Sequence, residues 1–254
     1  MKTRTAILSA LCLANLPAFA GTSIPSVEPG PTASPWSCRF EIYGWAQALN
    51  GDSGVRGYTA PVNASFRDIL SNLKFVAMGA VEINYNRWVV LADMDYATLG
   101  VSGSGPGLTS FDVNLHQFVG NFVVTYEAFK TDTMKFDVYA GVRVNSISLD
   151  FNITGPLGNT YGRAGSKSWV DPVIGARYQQ DLGHDVFFRA AGDIGGFGVS
   201  SQFTWQAMAG FGYSFHEYGS LLLGYRGLGT DYSNGGFTYD VIAHGPVIGY
   251  EWKF

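Results

Sequence analysis

Gly249-Tyr250-Glu251-Trp252-Lys253-Phe254 is the stretch whose reading decides the fold. A strand projects successive side chains to opposite faces, so residues two apart share a face. Ile248, Tyr250, Trp252 and Phe254 then line one face, and Val247, Gly249, Glu251 and Lys253 line the other. One face is apolar and aromatic, the other small or charged. The expected strand begins near Tyr239, and its aromatic residues gather at its C-terminal end. Alternation ending in Phe also occurs in soluble sandwiches, so the rest of the chain has to agree with it.

Composition narrows the class. The chain has 254 residues, with 14% charged residues, 15% aromatics, 33 glycines and a formal net charge of -4. Mean hydropathy is only +0.07. A helical membrane protein would carry apolar runs of about 18 residues or more. A membrane barrel averages out, because half of each strand faces a polar interior. The charge balance shows no basic stripe, which predicts no nucleic-acid partner. Lys2 and Arg4, the apolar Ala6–Leu16 and the small-x-small Ala18-Phe19-Ala20 predict a signal peptide over residues 1–20, cleaved after Ala20. Cys12 lies in that leader, so the expected mature chain keeps one cysteine, Cys38, and one cysteine makes no internal disulfide. Residues 21–37, rich in Pro, Ser, Thr and Gly, read as a flexible periplasmic lead-in, and residues 38–254 as one barrel.

Along the chain, alternating segments are expected at about Arg39–Leu49, Lys74–Asn84, from Trp88 on, Phe111–Phe129, Met134–Phe151, Ser168–Gln180, Asp185–Val199, Phe203–Phe215, Ser220–Leu228 and in the closing stretch. That is an all-β, closed antiparallel transmembrane β-barrel of about ten strands, with eight or twelve as alternatives. Residues 50–73, 100–109, 152–167 and 230–236 read as loops, the first carrying a short amphipathic helix over Ser65–Leu73. Short and mostly longer connections alternate, as in barrels with short periplasmic turns and long outer loops.

The inward parity carries charge. Gly141-Val142-Arg143, Gly175-Ala176-Arg177 and Gly224-Tyr225-Arg226 repeat Gly-x-Arg, so each glycine should leave space beside the guanidinium on its own face. Arg189 has the same parity, and so do Glu82, Asp93, Asp95, Glu127, Asp137, Asp171, Asp193 and Glu251. In a narrow barrel these must be paired or hydrated, since an isolated buried ion costs several kcal/mol. The arginines and acids therefore predict an ion-paired mesh across the interior. A structural plug, a narrow selective pore and a ligand or catalytic pocket remain open. The four histidines, His116, His184, His216 and His244, have no recognisable catalytic motif beside them. Asp93-x-Asp95 alone makes no metal site, and no spacing matches a zinc, calcium or phosphate motif. No catalysis, metal or cofactor is expected.

Several fragments together resemble a known group. Trp169-Val170-Asp171-Pro172, Gly192-Asp193-Ile194-Gly195-Gly196-Phe197-Gly198, Trp205-Gln206-Ala207, Gly224-Tyr225-Arg226 and the isolated Trp88 are similar to segments of small OmpA/OmpW-like bacterial outer-membrane barrels. The closing pattern of Gly249, Trp252 and Phe254 also resembles the terminal strand of Gram-negative outer-membrane barrels. The resemblance implies an outer-membrane location, lipid as the surrounding partner, a monomer, and recognition of that ending by the barrel-assembly machinery. It implies no catalytic residue. The expected role is structural or narrow-pore, the alternatives being a small-solute channel and a surface adhesion protein acting through the loops at 50–73 and 152–167.

Overall fold

A computed structural model describes residues 34–55, 58–105, 108–215 and 219–254. The leader, most of the lead-in and His216 lie outside the described residues. The strands are β1 (Trp36–Trp45), β2 (Ala48–Val55), β3 (Tyr58–Ala64), β4 (Leu73–Tyr85), β5 (Trp88–Gly105), β6 (Leu108–Lys130), β7 (Met134–Thr154), β8 (Thr160–Gly183), β9 (Val186–Gly195), β10 (Phe203–Phe215), β11 (Gly219–Asn234) and β12 (Phe237–Lys253). One helix, α1 (Phe66–Asn72), lies between β3 and β4.

All twelve strands form one antiparallel sheet, and β1 closes it by pairing with both β4 and β12. Ten staves close the barrel; β2 and β3 are an extra hairpin that pairs on from β12 beyond the end of β1. The closing strand is shared. Its last residues pair with β1, Glu41 opposite Glu251 and Tyr43 opposite Gly249. Its first half pairs with β2, from Thr238 opposite Gly54 to His244 opposite Ala48. Cys38 and Phe254 exchange backbone hydrogen bonds of 3.1 and 2.9 Å, which ties the first strand to the last residue.

Side-chain parity explains why this sheet belongs in lipid. Ile42, Val90, Met94, Phe122, Val124, Ile174, Phe211, Leu223 and Ile248 all point outward and are exposed. In water so continuous an apolar belt would far exceed the few hundred Å² that soluble monomers expose. Near the terminal end the belt is edged by aromatic pairs: Trp36 with Tyr85, Phe40 with Trp252, Tyr250 with Trp252 and Trp88 with Tyr126. Arg87 lies 4.9 Å from the Tyr126 ring centroid. Aromatic girdles of this kind mark the membrane interfaces of barrels. Among the described residues no helix is long and apolar enough to cross a membrane.

Several expected loops are strands. β7 and β8 extend into the expected loop at 152–167 and stay paired to Thr154 opposite Thr160, leaving a turn at 155–159. β5 and β6 pair as far as Gly105 and Leu108. β2 and β3 occupy most of the expected loop at 50–73, and the hairpin of β11 and β12 closes at Asn234 opposite Phe237. There Gly235 and Gly236, at φ of 62° and 80°, supply the two left-handed positions that a tight two-residue hairpin needs. β6, β7 and β8 run 23, 21 and 24 residues. A tilted membrane strand needs about 9–11 residues. The excess stands beyond the bilayer, where neither face must be apolar, so the alternation disappears while the ladder continues. β9 is the reverse case: it ends at Gly195, short of the expected Val199, because Gly196, Phe197 and Gly198 all take positive φ. Helix α1 forms where expected, with Ser65 and Asp68 making a reciprocal capping box.

Ring closure has a direct test. Ile42 and Tyr250 are register partners on the outer face, and facing residues of an antiparallel pair lie about 4.5–5.5 Å apart, within disulfide reach. In a Cys38→Ser background, Ile42→Cys with Tyr250→Cys is expected to oxidise to an intramolecular crosslink. An open sheet would leave both thiols reduced.

Candidate functional site

The interior is filled in two layers. Nearer the termini lies an ionic layer, and its chords cross the barrel. Arg177 on β8 donates to Glu82 on β4, and at 3.0 Å to Asp137 on β7. Arg226 on β11 reaches Asp93 on β5 at 2.9 Å, Asp95 at 3.2 Å, the Tyr43 hydroxyl on β1 at 3.0 Å and Gln206 at 2.8 Å. Arg143 on β7 donates to both Asp193 oxygens at 2.8 and 3.0 Å, to Asn121 at 2.8 Å and to Thr204 on β10 at 2.9 Å. Arg189 donates to Glu251 at 3.1 Å. The Tyr43 hydroxyl touches the carboxylates of both Asp93 and Asp95, and Tyr139 donates to Asp193 at 3.0 Å. A cavity of about 110 Å³ remains among these side chains.

The geometry follows from barrel width. Eight strands enclose an interior that side chains just fill. Ten enclose more, so only long side chains meet across it. Arginine has the reach, and its planar fork fixes two acceptors at once. Arg143 is completely buried and Arg226 is 3% exposed. Each is held by several partners, which a desolvated charge requires.

Two of the expected acids do not meet an arginine. Asp171 faces inward opposite Arg143 in the ladder, yet it accepts hydrogen bonds from Ser201 N and Oγ at 2.7 and 2.6 Å and from Trp169 Nε1 at 3.1 Å. It clamps the turn between β9 and β10 to the wall, while Arg143 turns to Asp193. Glu127 lies near the terminal rim and pairs with Lys130 at 3.9 Å and Lys135 at 3.7 Å. The Gly-x-Arg motif also works differently from expectation. A Cβ at Gly175 would collide with the Tyr139 ring and Asp193; one at Gly141 or Gly224 would strike the neighbouring strand's backbone. These glycines make room for adjacent strands and for the partners of Arg143, not for their own arginines.

Arg39 was missing from the expected set. It contacts Glu82 and lies 3.6 Å from Glu251, which joins the Arg177 and Arg189 pairs into one chain. The signal was available, because Arg39 shares the parity of Glu41. The second layer was also missed. Towards the far end the interior turns apolar: Trp45, Leu49, Val119, Leu228, Val241 and Val247 form a buried cluster inside the barrel. The expected interior was polar throughout. Trp45 joins the layers, since the Arg226 guanidinium sits 4.7 Å from its ring centroid. Beyond the cluster, Trp169 stacks on Tyr232 at 4.2 Å.

Of the histidines, His184 sits in the left-handed turn after β8. His244 faces outward between Tyr225 and Asn50, at 2.6 and 3.0 Å. His116 contacts Tyr96 and Thr98. Among the described residues no group of three or more His, Cys, Asp or Glu side chains is arranged to hold a metal ion.

Comparison with known proteins defines the class. No family model matches the chain, and no curated protein sequence does. Among solved structures it is similar to the outer-membrane protease OmpT from Escherichia coli, with a TM-score of 0.57 and 10% identity, over 90% of this chain and 100% of that one. It is also similar to the translocator domain of the autotransporter NalP from Neisseria meningitidis, at TM-score 0.38 and 11% identity, over 89% of this chain and 90% of that one. Ail from Yersinia pestis gives 0.33 and 11%, over 86% and 98%. The similarity to OmpT shows the fold, that of a small outer-membrane β-barrel, and transfers no chemistry; the lower two scores carry no further argument.

The Arg143–Asp193 pair yields a stability test. Removing one partner of a buried pair costs about 3–5 kcal/mol, whereas replacing both with apolar groups is near neutral. Arg143→Met alone is expected to lower unfolding stability in urea by that amount, and Arg143→Met with Asp193→Leu to recover most of it. Equal losses in the single and double variants would show that the charge pairing does not matter.

Proposed function

We propose that the protein is a monomeric, non-catalytic outer-membrane barrel whose interior is held shut, with a structural role at rest. The observation that carries this reading is the stacking of a buried apolar cluster, centred on Trp45 and Leu228, over the cross-barrel ion pairs of Arg226 and Arg143. A solute travelling along the axis would have to displace both layers. Their weaknesses are complementary, since water does not enter the apolar layer and hydrocarbon does not enter the ionic one. The apolar belt and aromatic girdle support lipid as the surrounding partner. The pairing of β1 with β12 up to Phe254 supports a terminal strand that the assembly machinery reads through Gly249, Trp252 and Phe254. Export by the leader at 1–20 completes the reading.

The channel alternative is tested in planar bilayers. The wild-type protein is expected to give no reproducible single-channel steps, and Trp45→Ala with Leu228→Ala and Arg226→Ala to introduce them. Steady conductance from the wild type would overturn the closed reading.

One observation favours a second role, surface interaction. The extended β7–β8 hairpin carries Tyr161 and Leu157 exposed at 70% and 89%, well beyond the membrane belt. Deleting residues 152–167 and re-pairing the shortened strands is expected to abolish adhesion to host or partner surfaces; unchanged binding would remove this reading.

A further inference from the structure

The barrel wall is not sealed along its whole height. Pairing between β1 and β4 runs from Trp36 opposite Tyr85 to Ile42 opposite Gly79 and then stops. Above that point β1 stays paired with β12, at Tyr43, Gly44 and Trp45, while β4 stays paired with β5. The two strands diverge, and α1 bridges the space between β3 and the start of β4. Across the divergence Trp45 N donates to the Met78 thioether sulfur at 3.3 Å, a weak acceptor in place of a ladder carbonyl. Val76 has inward parity yet remains 43% exposed, at a level where β4 has β5 on one side and no β1 partner on the other.

The divergence leaves a recess of about 930 Å³. That lies at the upper end of the range for ligand sites, roughly 300–1,000 Å³. Its lining comes from both faces of the wall. Ile42, Met94 and Ile248 belong to the lipid-facing belt, whereas Trp45, Met78 and Val247 belong to the interior. Among the described residues its lining is apolar apart from Tyr43, Trp45 and Tyr96, and the Tyr43 hydroxyl is turned to Asp93, Asp95 and Arg226. Gly79 is the seventh residue from Tyr85 at the terminal turn, and a membrane strand takes about 9–11 residues. The recess therefore opens within the outer half of the bilayer. It is continuous with the lipid-facing surface, so hydrocarbon is the medium at its mouth.

We propose that an acyl chain of a bilayer lipid lodges in the β1–β4 seam, entering between Ile42 and Ala77 and ending against Trp45 and Met78, with Phe66 and Leu70 of α1 lying over it. This inference rests on the outer-membrane placement proposed above. A straight stave at this position would have sealed the wall. Instead β1 breaks at Ala46 and Gln47, and β2 continues along β12. The seam is thus built by the sequence, and Gly44 widens its edge: a Cβ placed there meets nothing within 4 Å.

The test uses the full-length protein reconstituted in phosphatidylethanolamine vesicles that contain a phospholipid with a diazirine-bearing acyl chain. After photolysis, labelled residues are mapped by peptide mass spectrometry. Label is expected on Met78 and Trp45, which face inward, as well as on the outward Ile42 and Phe211. Gly44→Trp, which fills the mouth, is expected to reduce labelling of Met78 and Trp45 by about fivefold or more, with Phe211 unchanged. Ala77→Trp serves the same purpose should Gly44→Trp not fold. Label confined to outward residues of a heat-modifiable, folded barrel would overturn the lipid site and leave the membrane reading intact. No label on Ile42 or Phe211 would overturn the membrane reading as well.

Discussion

In hydrocarbon an unpaired backbone N–H or C=O costs several kcal/mol, so a sheet that crosses a membrane must close on itself. That constraint fixes the rest of this molecule. Closure brings β1 against β12 and places Glu41 opposite Glu251, so the ring's seam is lined by carboxylates on its inner side. Closure with ten staves also sets the width of the interior, and the width selects the side chains. Arginines and tyrosines span it, whereas Asp or Ser alone would leave a void. Beyond Gly79 the β1–β4 ladder ends, the Met78 sulfur takes the Trp45 N–H in its place, and apolar side chains from both faces of the wall line the gap.

The two interior layers solve different problems. The ionic layer cross-links distant staves, Arg177 joining β8 to β4 and Arg226 joining β11 to β5 and β1. Such pairs give little net stability over apolar packing, but each is costly to break. They therefore set which staves face one another. The apolar layer is an ordinary hydrophobic core placed inside a barrel, and it excludes water from the outer side of the arginines. Trp45 belongs to both layers, through its contacts with the cluster and with Arg226.

Much of this was legible in the sequence, for reasons that can be stated. Within the membrane an outward face must be apolar, so alternation exposed the staves and gave the parity of Arg143, Arg177, Arg189 and Arg226. Beyond the membrane that requirement lapses, which is why β2, β3 and the far ends of β7 and β8 read as loops. The apolar interior hid for the opposite reason: Val241 and Ile242, or Val247 and Ile248, put apolar residues on both faces and erase the period. Partner choice could not be read at all. Asp171 is the ladder partner of Arg143 but bonds Ser201, because the turn after β9 brings Ser201 within reach and Asp193 already holds Arg143. That pairing depends on three strands, and no single stretch encodes it.

Closure of the interior from both ends is measured most directly by reagent access to the cavity between its arginines. Met208 lines the cavity of about 110 Å³ between the arginines. In a Cys38→Ser background, Met208→Cys in oriented, folded protein should resist a membrane-impermeant, charged thiol reagent added to either side, and react fully once the barrel is unfolded. Rapid modification of the folded barrel from either side would contradict the account.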